Sequence, residues 1–133
     1  MPLSFDPITA LQDVRSFTNS MHELPVTMSI LSIVLEHAKT VKASKISLIK
    51  LTIGELSGIV PEYIELQFGF LSKDTIAAGA SISFHRPPAE LRCRSCATIF
   101  SPDNQNWACP NCGEQKIEIV SGRECYVESM EVE

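Results

Sequence analysis

The feature that most constrains this chain is a pair of Cys-x-x-Cys motifs. Cys93 and Cys96 form the first pair, Cys109 and Cys112 form the second, and twelve residues separate them. Two tight turns spaced in this way each present two thiolates to one tetrahedral ion. Because four thiolates leave no coordination position for a substrate, we predict a closed, structural zinc site.

Other chemistry is compatible with clustered cysteines. Disulfide bonds are disfavoured because we expect a cytoplasmic protein, in which thiols stay reduced. A redox Cys-x-x-Cys pair normally stands alone at a helix N-terminus beside a βαβ pattern, and neither pair has that context. Iron remains an alternative to zinc and would make the protein a red, rubredoxin-like electron carrier. The fifth cysteine, Cys125, falls in a predicted strand and is expected to be a small buried side chain rather than a reactive thiol.

The residues around the cysteines suggest how the site is supported. A module this short has too little apolar surface to fold without its metal, and we expect Phe100 and Trp107 to cover the site as a small apolar core. Arg92 and Arg94 flank the first pair. We expect them to offset part of the excess negative charge of four thiolates around a divalent ion.

Two amphipathic helices are predicted before the cysteines. Apolar residues at helical spacing run from Leu24 to about Thr40, and Pro25 is tolerated there only in the first turn. The expected apolar residues of this helix are Leu24, Met28, Leu31, Leu35 and Ala38. A second helix is predicted from Pro61 to near Asp74, because proline is favoured at the first helical position. Its expected apolar residues are Tyr63, Leu66, Phe70 and Leu71, flanked by Ile64 and Phe68.

Four segments predict β-strands. They are Lys45 to Ile53, Ala80 to Phe84, Lys116 to Val120 and Glu124 to Val132. In the first, which is rich in β-branched residues, we place Ile46, Leu48 and Ile53 in the core. Because strands flank the cysteine segment on both sides, this segment is expected to be an insertion between two strands of one sheet.

These elements predict an α+β fold. In it, a small sheet of about three strands packs with two helices and carries an inserted, zinc-ribbon-like module. We assign residues 21–90 and 114–133 to the α/β domain and residues 91–113 to the zinc module. Residues 1–20 form an N-terminal extension to which the sequence assigns no role, with a short helix expected from Thr9 to Phe17.

Charge and hydropathy exclude several classes of function. The net charge of −5 and the pI near 5.2 disfavour a nucleic-acid partner, so a zinc-ribbon protein of a transcription complex is the weaker hypothesis. No apolar run approaches the roughly 20 residues of a membrane span. Residues 1–20 do not resemble a secretory signal, and we expect a cytoplasmic protein. Without a Ser-His-Asp set or a phosphate-binding glycine loop, we predict that it is not an enzyme.

Short motifs occur in a characteristic order along residues 21 to 133. They are Met21-His22-Glu23-Leu24, then Gly54-Glu55-Leu56-Ser57-Gly58 with Pro61-Glu62, the two cysteine pairs, and Ser121-Gly122-Arg123-Glu124 ahead of Glu131-Val132-Glu133. Each motif alone is modest, but their order and spacing are highly specific. Together they resemble the HypA/HybF family of hydrogenase nickel-incorporation proteins.

The resemblance implies a nickel metallochaperone with two metal sites. In that family a Met-His-Glu triplet forms the N-terminus and binds nickel, and the four cysteines hold zinc. Nickel would therefore be held by Met21, His22 and Glu23, with the His22 imidazole and the backbone nitrogens of His22 and Glu23 as key ligands. Ni(II) favours square-planar nitrogen ligands, and amides at a helix start have no intrahelical acceptor. The implied partners are a HypB-type GTPase and the [NiFe] hydrogenase large-subunit precursor, and a homodimer is left open.

Residues 1–20 depart from the family pattern. If Met21 is bonded to Ser20, the free amine that the family uses as a ligand is absent. Either Met21 is the natural start and the first twenty residues are an artefact of the assigned gene start or of expression, or nickel is held by a different set of atoms. We favour the first alternative. Cys125 also stands where an aliphatic residue is expected in the family, a change that preserves apolar character.

Overall fold

The structure is a computed structural model that describes residues 2–4, 23–102 and 107–133. Its elements in chain order are β1 (Pro2–Ser4), α1 (Glu23–Thr40), β2 (Ile46–Ile53), α2 (Pro61–Leu71), β3 (Ser81–His85), β4 (Glu90–Cys93), β5 (Ile99–Phe100), β6 (Ile117–Ser121) and β7 (Cys125–Val132). The two main helices and the four predicted strands are all present, close to their predicted ends. The helix expected from Thr9 to Phe17 lies outside the described residues.

The larger sheet has the strand order β1-β7-β2-β3. β2 and β3 are parallel, with Leu48 beside Ser81, and α2 forms the crossover that parallel neighbours require. β7 returns antiparallel on the other side of β2, with Ile53 beside Cys125. The strands β7, β2 and β3 are the predicted sheet of about three strands, and the α+β fold is confirmed.

The fourth strand of this sheet comes from the N-terminal extension. β1 pairs antiparallel with β7, with Leu3 opposite Met130 and Ser4 opposite Ser129. The sequence did not predict this strand, because three residues are too few to show a periodic pattern. Proline at position 2 suits an edge strand, where a missing N–H need not interrupt the sheet. The first residues of the extension therefore contribute to the fold.

The apolar core lies between the larger sheet and the two helices. Its buried members are Val26, Ile30, Val34, Ala38, Ile46, Ile49, Leu51, Ile53, Ile59, Ile64, Phe68, Ala77, Cys125, Val127, Met130 and Val132. Within β2, Ile46 and Ile53 are buried as predicted, whereas Leu48 is only half-buried. Ile49 and Leu51 complete the buried row of this strand, and the register shift between Ile46 and Leu48 accounts for the three-residue step from Ile46 to Ile49.

The buried face of α1 differs in part from the predicted face. Leu24 and Met28 are 47% and 55% exposed, whereas Val26, Ile30 and Val34 are buried. Both rows recur every four residues, so helical spacing fits either of them. The prediction was wrong for Leu24 and Met28, because the start of α1 has apolar residues on more than one side. The other three predicted residues do lie in or against the core: Ala38, Leu31 and Leu35.

The same ambiguity affects α2, whose predicted buried face was wrong. Tyr63, Leu66 and Phe70, which were expected to face the core, are 55%, 61% and 64% exposed. Ile64 and Phe68, which were expected to flank that face, are buried instead. An 11-residue helix that is apolar on most sides carries little information about its own orientation. Neither described helix is long and apolar enough to span a bilayer.

A second, smaller sheet carries the cysteines, in the order β5-β4-β6 with antiparallel pairing throughout. The segment between β3 and β7 is the predicted insertion between two strands of one sheet. β6 belongs to the inserted sheet, because Cys93 in β4 lies opposite Ile117 in β6. The domain boundaries at residues 90 and 113 stay predictions, and this pairing favours an end of the zinc module near Ser121.

The start of α1 lies at the end of the larger sheet from which the second sheet emerges. At the opposite end, Ala43 N–H donates to Ala38 O and Ser44 N–H donates to Glu133 O, so α1 ends where β2 begins. The buried residues of α1 from Val26 to Ala38 all belong to the core over this sheet, and an 18-residue helix and an 8-residue strand both span about 26 Å, so α1 extends from this end of the sheet toward the other. Glu23 is therefore placed at the end where β2 stops, β3 leads into β4, and β7 starts.

Candidate metal centre

Four cysteine sulfurs converge beside the second sheet. Cys93 Sγ and Cys112 Sγ are 3.5 Å apart, Cys96 Sγ and Cys109 Sγ are 3.6 Å apart, and all four atoms lie within 4.8 Å of one another. These separations suit four thiolates on one ion, because Zn–S bonds of about 2.3 Å place tetrahedral sulfurs about 3.8 Å apart. All five cysteines are free thiols in this structure.

The two Cys-x-x-Cys turns have matching backbone geometry. Ala97 N–H donates to Cys93 O at 2.9 Å, and Gly113 N–H donates to Cys109 O at 2.8 Å, so each turn closes four residues after its first cysteine. The closing residue has a positive φ in both turns, 63° at Ala97 and 78° at Gly113. Glycine adopts this conformation without strain, whereas alanine does not. The second turn is therefore built with a residue suited to its shape, and the first is not.

The surroundings of Cys96 and Cys112 shift the pKa values of these two thiols in opposite directions. The hydroxyl and backbone N–H of Thr98, together with the Asn111 amide, lower the pKa of Cys96 to about 6. The Thr98 hydroxyl lies 3.1 Å from the sulfur and the amide nitrogen of Asn111 lies 3.6 Å from it. The backbone N–H of Glu114 lowers the pKa of Cys112, but desolvation and the neighbouring thiols outweigh it and raise that pKa to about 12. A metal ion that binds all four sulfurs would displace the remaining protons.

The basic residues near the cysteines are balanced by an acidic neighbour. Arg92 forms a hydrogen-bonded ion pair with Glu118 in β6, and Nε of Arg94 lies 3.9 Å from the same carboxylate. Part of the charge that we expected to offset the thiolates is therefore neutralised by Glu118. Phe100 is half-buried and Trp107 is 37% exposed, and their role as an apolar cover stays a prediction.

Of the three predicted nickel residues, the structure describes one. Met21 and His22 lie outside the described residues, and Glu23 is the first residue of α1. Among the described residues, the four cysteines form the single cluster of three or more His, Cys, Asp or Glu side chains able to hold a metal ion. Cys125 is buried in the larger core, as predicted for a small apolar side chain.

Comparison with known proteins decides the family. The sequence pattern described as hydrogenase/urease nickel incorporation, metallochaperone, HypA matches residues 21–132. The chain belongs to the HypA family. A hydrogenase maturation factor HypA from Dehalococcoides mccartyi is 42% identical over 113 residues, covering 85% of this chain and 95% of the relative. The HypA of Caldanaerobacter subterraneus subsp. tengcongensis is 38% identical over 114 residues, covering 85% of this chain and all of the relative.

Solved HypA structures share the fold. A solution structure of a HypA protein matches with a TM-score of 0.66 and 27% identity, covering 86% of this chain and 98% of that one. The solution structure of the Ni metallochaperone HypA from Helicobacter pylori matches with a TM-score of 0.60 and 26% identity, covering 84% and 97% of the two chains. The predicted family membership and the α+β fold with a zinc-ribbon-like module are thus confirmed.

Sequence reasoning missed the residues that support the HypA-type cysteine cluster. Leu91 in β4 is fully buried and is a central apolar residue of the second sheet, but it was not singled out. Thr98 and Asn111, which bond to Cys96, were also missed. Their positions close to cysteines in the sequence were the available clue, since turns of this type direct nearby polar groups toward sulfur.

Proposed function

We propose that this protein is a nickel metallochaperone in hydrogenase maturation, with a structural zinc ion on its four cysteines. The observation that carries the proposal is the HypA family match, which starts at Met21, the first residue of the Met-His-Glu motif. The named relatives are hydrogenase maturation factors, whereas the family description also includes urease. We therefore propose the [NiFe] hydrogenase large-subunit precursor as the nickel acceptor, a HypB-type GTPase as the partner, and a cytoplasmic, non-catalytic role.

The cysteine cluster supports the structural half of this proposal. Cys93, Cys96, Cys109 and Cys112 would hold zinc with no open coordination position, and their sulfur separations suit one tetrahedral ion. When bound, zinc supplies a cross-link between the two turns. The chain itself keeps the sulfurs in place through the backbone hydrogen bonds of both turns and through Thr98 and Asn111.

The start of α1 supports nickel binding at Met21, His22 and Glu23. Glu23 begins the helix, so backbone amides at this end have no acceptor within it and are available to a metal. His22 would supply the imidazole beside these amides. Nitrogen ligands of this kind suit square-planar Ni(II), which is the cargo rather than a resident cofactor.

The ligand set depends on the residue that precedes Met21. A chain that starts at Met21 offers a terminal amine, whereas a chain that includes residues 1–20 must use another atom. We propose the terminal amine as a ligand, which requires the shorter chain. The pairing of β1 with β7 favours the longer chain, since it gives the extension a place in the fold.

Nickel titration of chains starting at Met1 and at Met21 tests both parts of the proposal. We expect His22→Ala to abolish tight nickel binding while the fold and one zinc per chain are retained. His37→Gln is the control, because His37 lies near the opposite end of α1. Unchanged nickel affinity in His22→Ala would contradict the assignment. Equal affinity of the two wild-type chains would exclude the terminal amine as a required ligand.

A further inference from the structure

Two segments of chain connect the larger sheet to the second sheet. Residues 86–89 lead from β3 into β4, and residues 122–124 lead from β6 into β7. If these connections were independent, the second sheet would be free to pivot on them. Both of them, however, contact the same loop at the end of β2, residues 54–57, which we call the clasp loop.

The clasp loop binds the 122–124 connection through its backbone. Gly54 N–H donates to Glu124 O at 2.7 Å, and Leu56 N–H donates to Gly122 O at 2.6 Å. The Glu124 carboxylate turns back and accepts from Gly122 N–H at 2.6 Å, and it also bonds to the Ser121 hydroxyl. The connection is therefore fixed both by the clasp loop and by its own side chain.

The clasp loop also binds the 86–89 connection. Glu55 N–H donates to Pro87 O at 3.0 Å, and Ala89 N–H donates to the Glu55 carboxylate at 3.3 Å. From the other direction, the Arg86 guanidinium donates to the carbonyls of Ile53 and Gly54 at 3.2 Å. One short loop thus holds each connection by at least two hydrogen bonds.

Close backbone packing makes glycine necessary at the centre of this contact. A Cβ at Gly54 would overlap the Gly122 carbonyl and would lie 2.9 Å from Arg123 N. Gly122 has a φ of 113°, and a Cβ there would lie 3.0 Å from the Ala89 backbone. Backbone atoms cannot swing aside as a flexible side chain can, so a methyl group at position 54 has to separate the clasp loop from the 122–124 connection.

We propose that the clasp loop locks the zinc-binding sheet in one orientation relative to the larger sheet. The locked sheet stands at the end of the larger sheet where α1 begins, so the clasp loop also sets which surface of the zinc module is turned toward Glu23, the first residue of α1. The orientation itself does not depend on nickel. Its consequence for the nickel site rests on the function proposed above.

Residual dipolar couplings of the zinc-loaded full chain measure this orientation directly. In the wild type, amides of the larger sheet and of the second sheet should fit one alignment tensor. In Gly54→Ala, the two sheets should require different tensors, while one zinc per chain is retained. Gly69→Ala is the matched control, since a Cβ there meets nothing within 4 Å, and it should keep the single tensor.

A second variant is needed in case the Gly54→Ala protein does not fold. Glu124→Ala removes the carboxylate that holds Gly122 without adding atoms, and it should also separate the tensors. Glu131→Ala, an exposed position in the adjoining strand β7, is its control. A single shared tensor in Glu124→Ala and in any folded Gly54→Ala overturns the proposal, even if both variants are less stable.

Nickel titration of the same variants tests the consequence. Changes in the surroundings of a metal site typically alter affinity by roughly tenfold or more, and we expect a loss of that order where the tensors separate. If the tensors separate but nickel affinity is unchanged, the fixed orientation stands and only its link to the nickel site is overturned. The proposed function itself is decided by His22→Ala, so the two failures are distinguishable.

Discussion

The two sheets of this protein are stabilised by different means. Among the described residues, the larger sheet and its helices bury sixteen in one apolar core. In the strands of the second sheet, the buried side chains are Leu91 and Cys93, and Cys109 is buried in the second cysteine turn. A sheet with so little buried apolar surface depends on cross-links, and its four sulfurs are placed to provide them through one metal ion. The difference shows that adjacent parts of one short chain can have separate sources of stability, which substitutions should reveal.

The largest effect is expected where the second sheet loses a metal ligand. Cys109→Ser should release zinc and unfold β4, β5 and β6, because structural zinc typically contributes on the order of 10 kcal/mol to the folding of a small module. Zinc analysis and the amide spectrum of residues 107–121 provide the measurement. Cys125→Ala is the control, since Cys125 lies in the larger core and should leave the zinc content unchanged. An intact β4–β6 pairing in zinc-free Cys109→Ser would show that the metal is not what holds this sheet.

An intermediate effect is expected in the larger core, with zinc unaffected. Phe68→Ala should lower the free energy of unfolding by about 3–5 kcal/mol, because it leaves a cavity under α2. Phe70→Ala on the same helix is 64% exposed and should change that free energy by no more than about 0.5 kcal/mol. Denaturant unfolding of the zinc-loaded proteins measures both. Equal losses in the two variants would mean that α2 presents a different face to the core.

The smallest effects are expected in the two Cys-x-x-Cys turns. Ala97→Gly should stabilise the zinc-bound second sheet and Gly113→Ala should destabilise it, each by about 1 kcal/mol, since only glycine is unstrained at a positive φ. Competition with a chelator reports the resulting changes in zinc affinity. The two substitutions are each other's controls, and a shift in the same direction for both would rule out backbone strain as the cause.

The sequence predicted those features that depend on local spacing. Cys-x-x-Cys spacing identified the four-sulfur cluster, and proline at position 61 marked the start of α2. It failed on the helix faces, because the apolar rows of α1 on its two sides, Val26 with Ile30 and Leu24 with Met28, have the same period. Choosing between such rows requires knowledge of what packs against the helix.

Other features depend on contacts between distant parts of the chain. Gly54 and Gly122 were noticed as parts of motifs, but their close approach across 68 positions follows only from the paired ends of β2 and β7. β1 is three residues long and exists because β7 offers it an edge. Neither contact has a local pattern that would reveal it. The nickel motif was found by resemblance, and Met21 and His22 lie outside the described residues.

The strand order also bears on how such a protein can be assembled during evolution. β3 ends and β7 begins on either side of the end of β2, so these two points are separated by about 10 Å, twice the spacing of neighbouring strands. A turn of a few residues could join them without disturbing the larger core. The cysteine-bearing segment is thus a single insertion, which a gene can acquire, exchange or lose in one step. Ancestors or relatives with a different insertion at this point are structurally permitted.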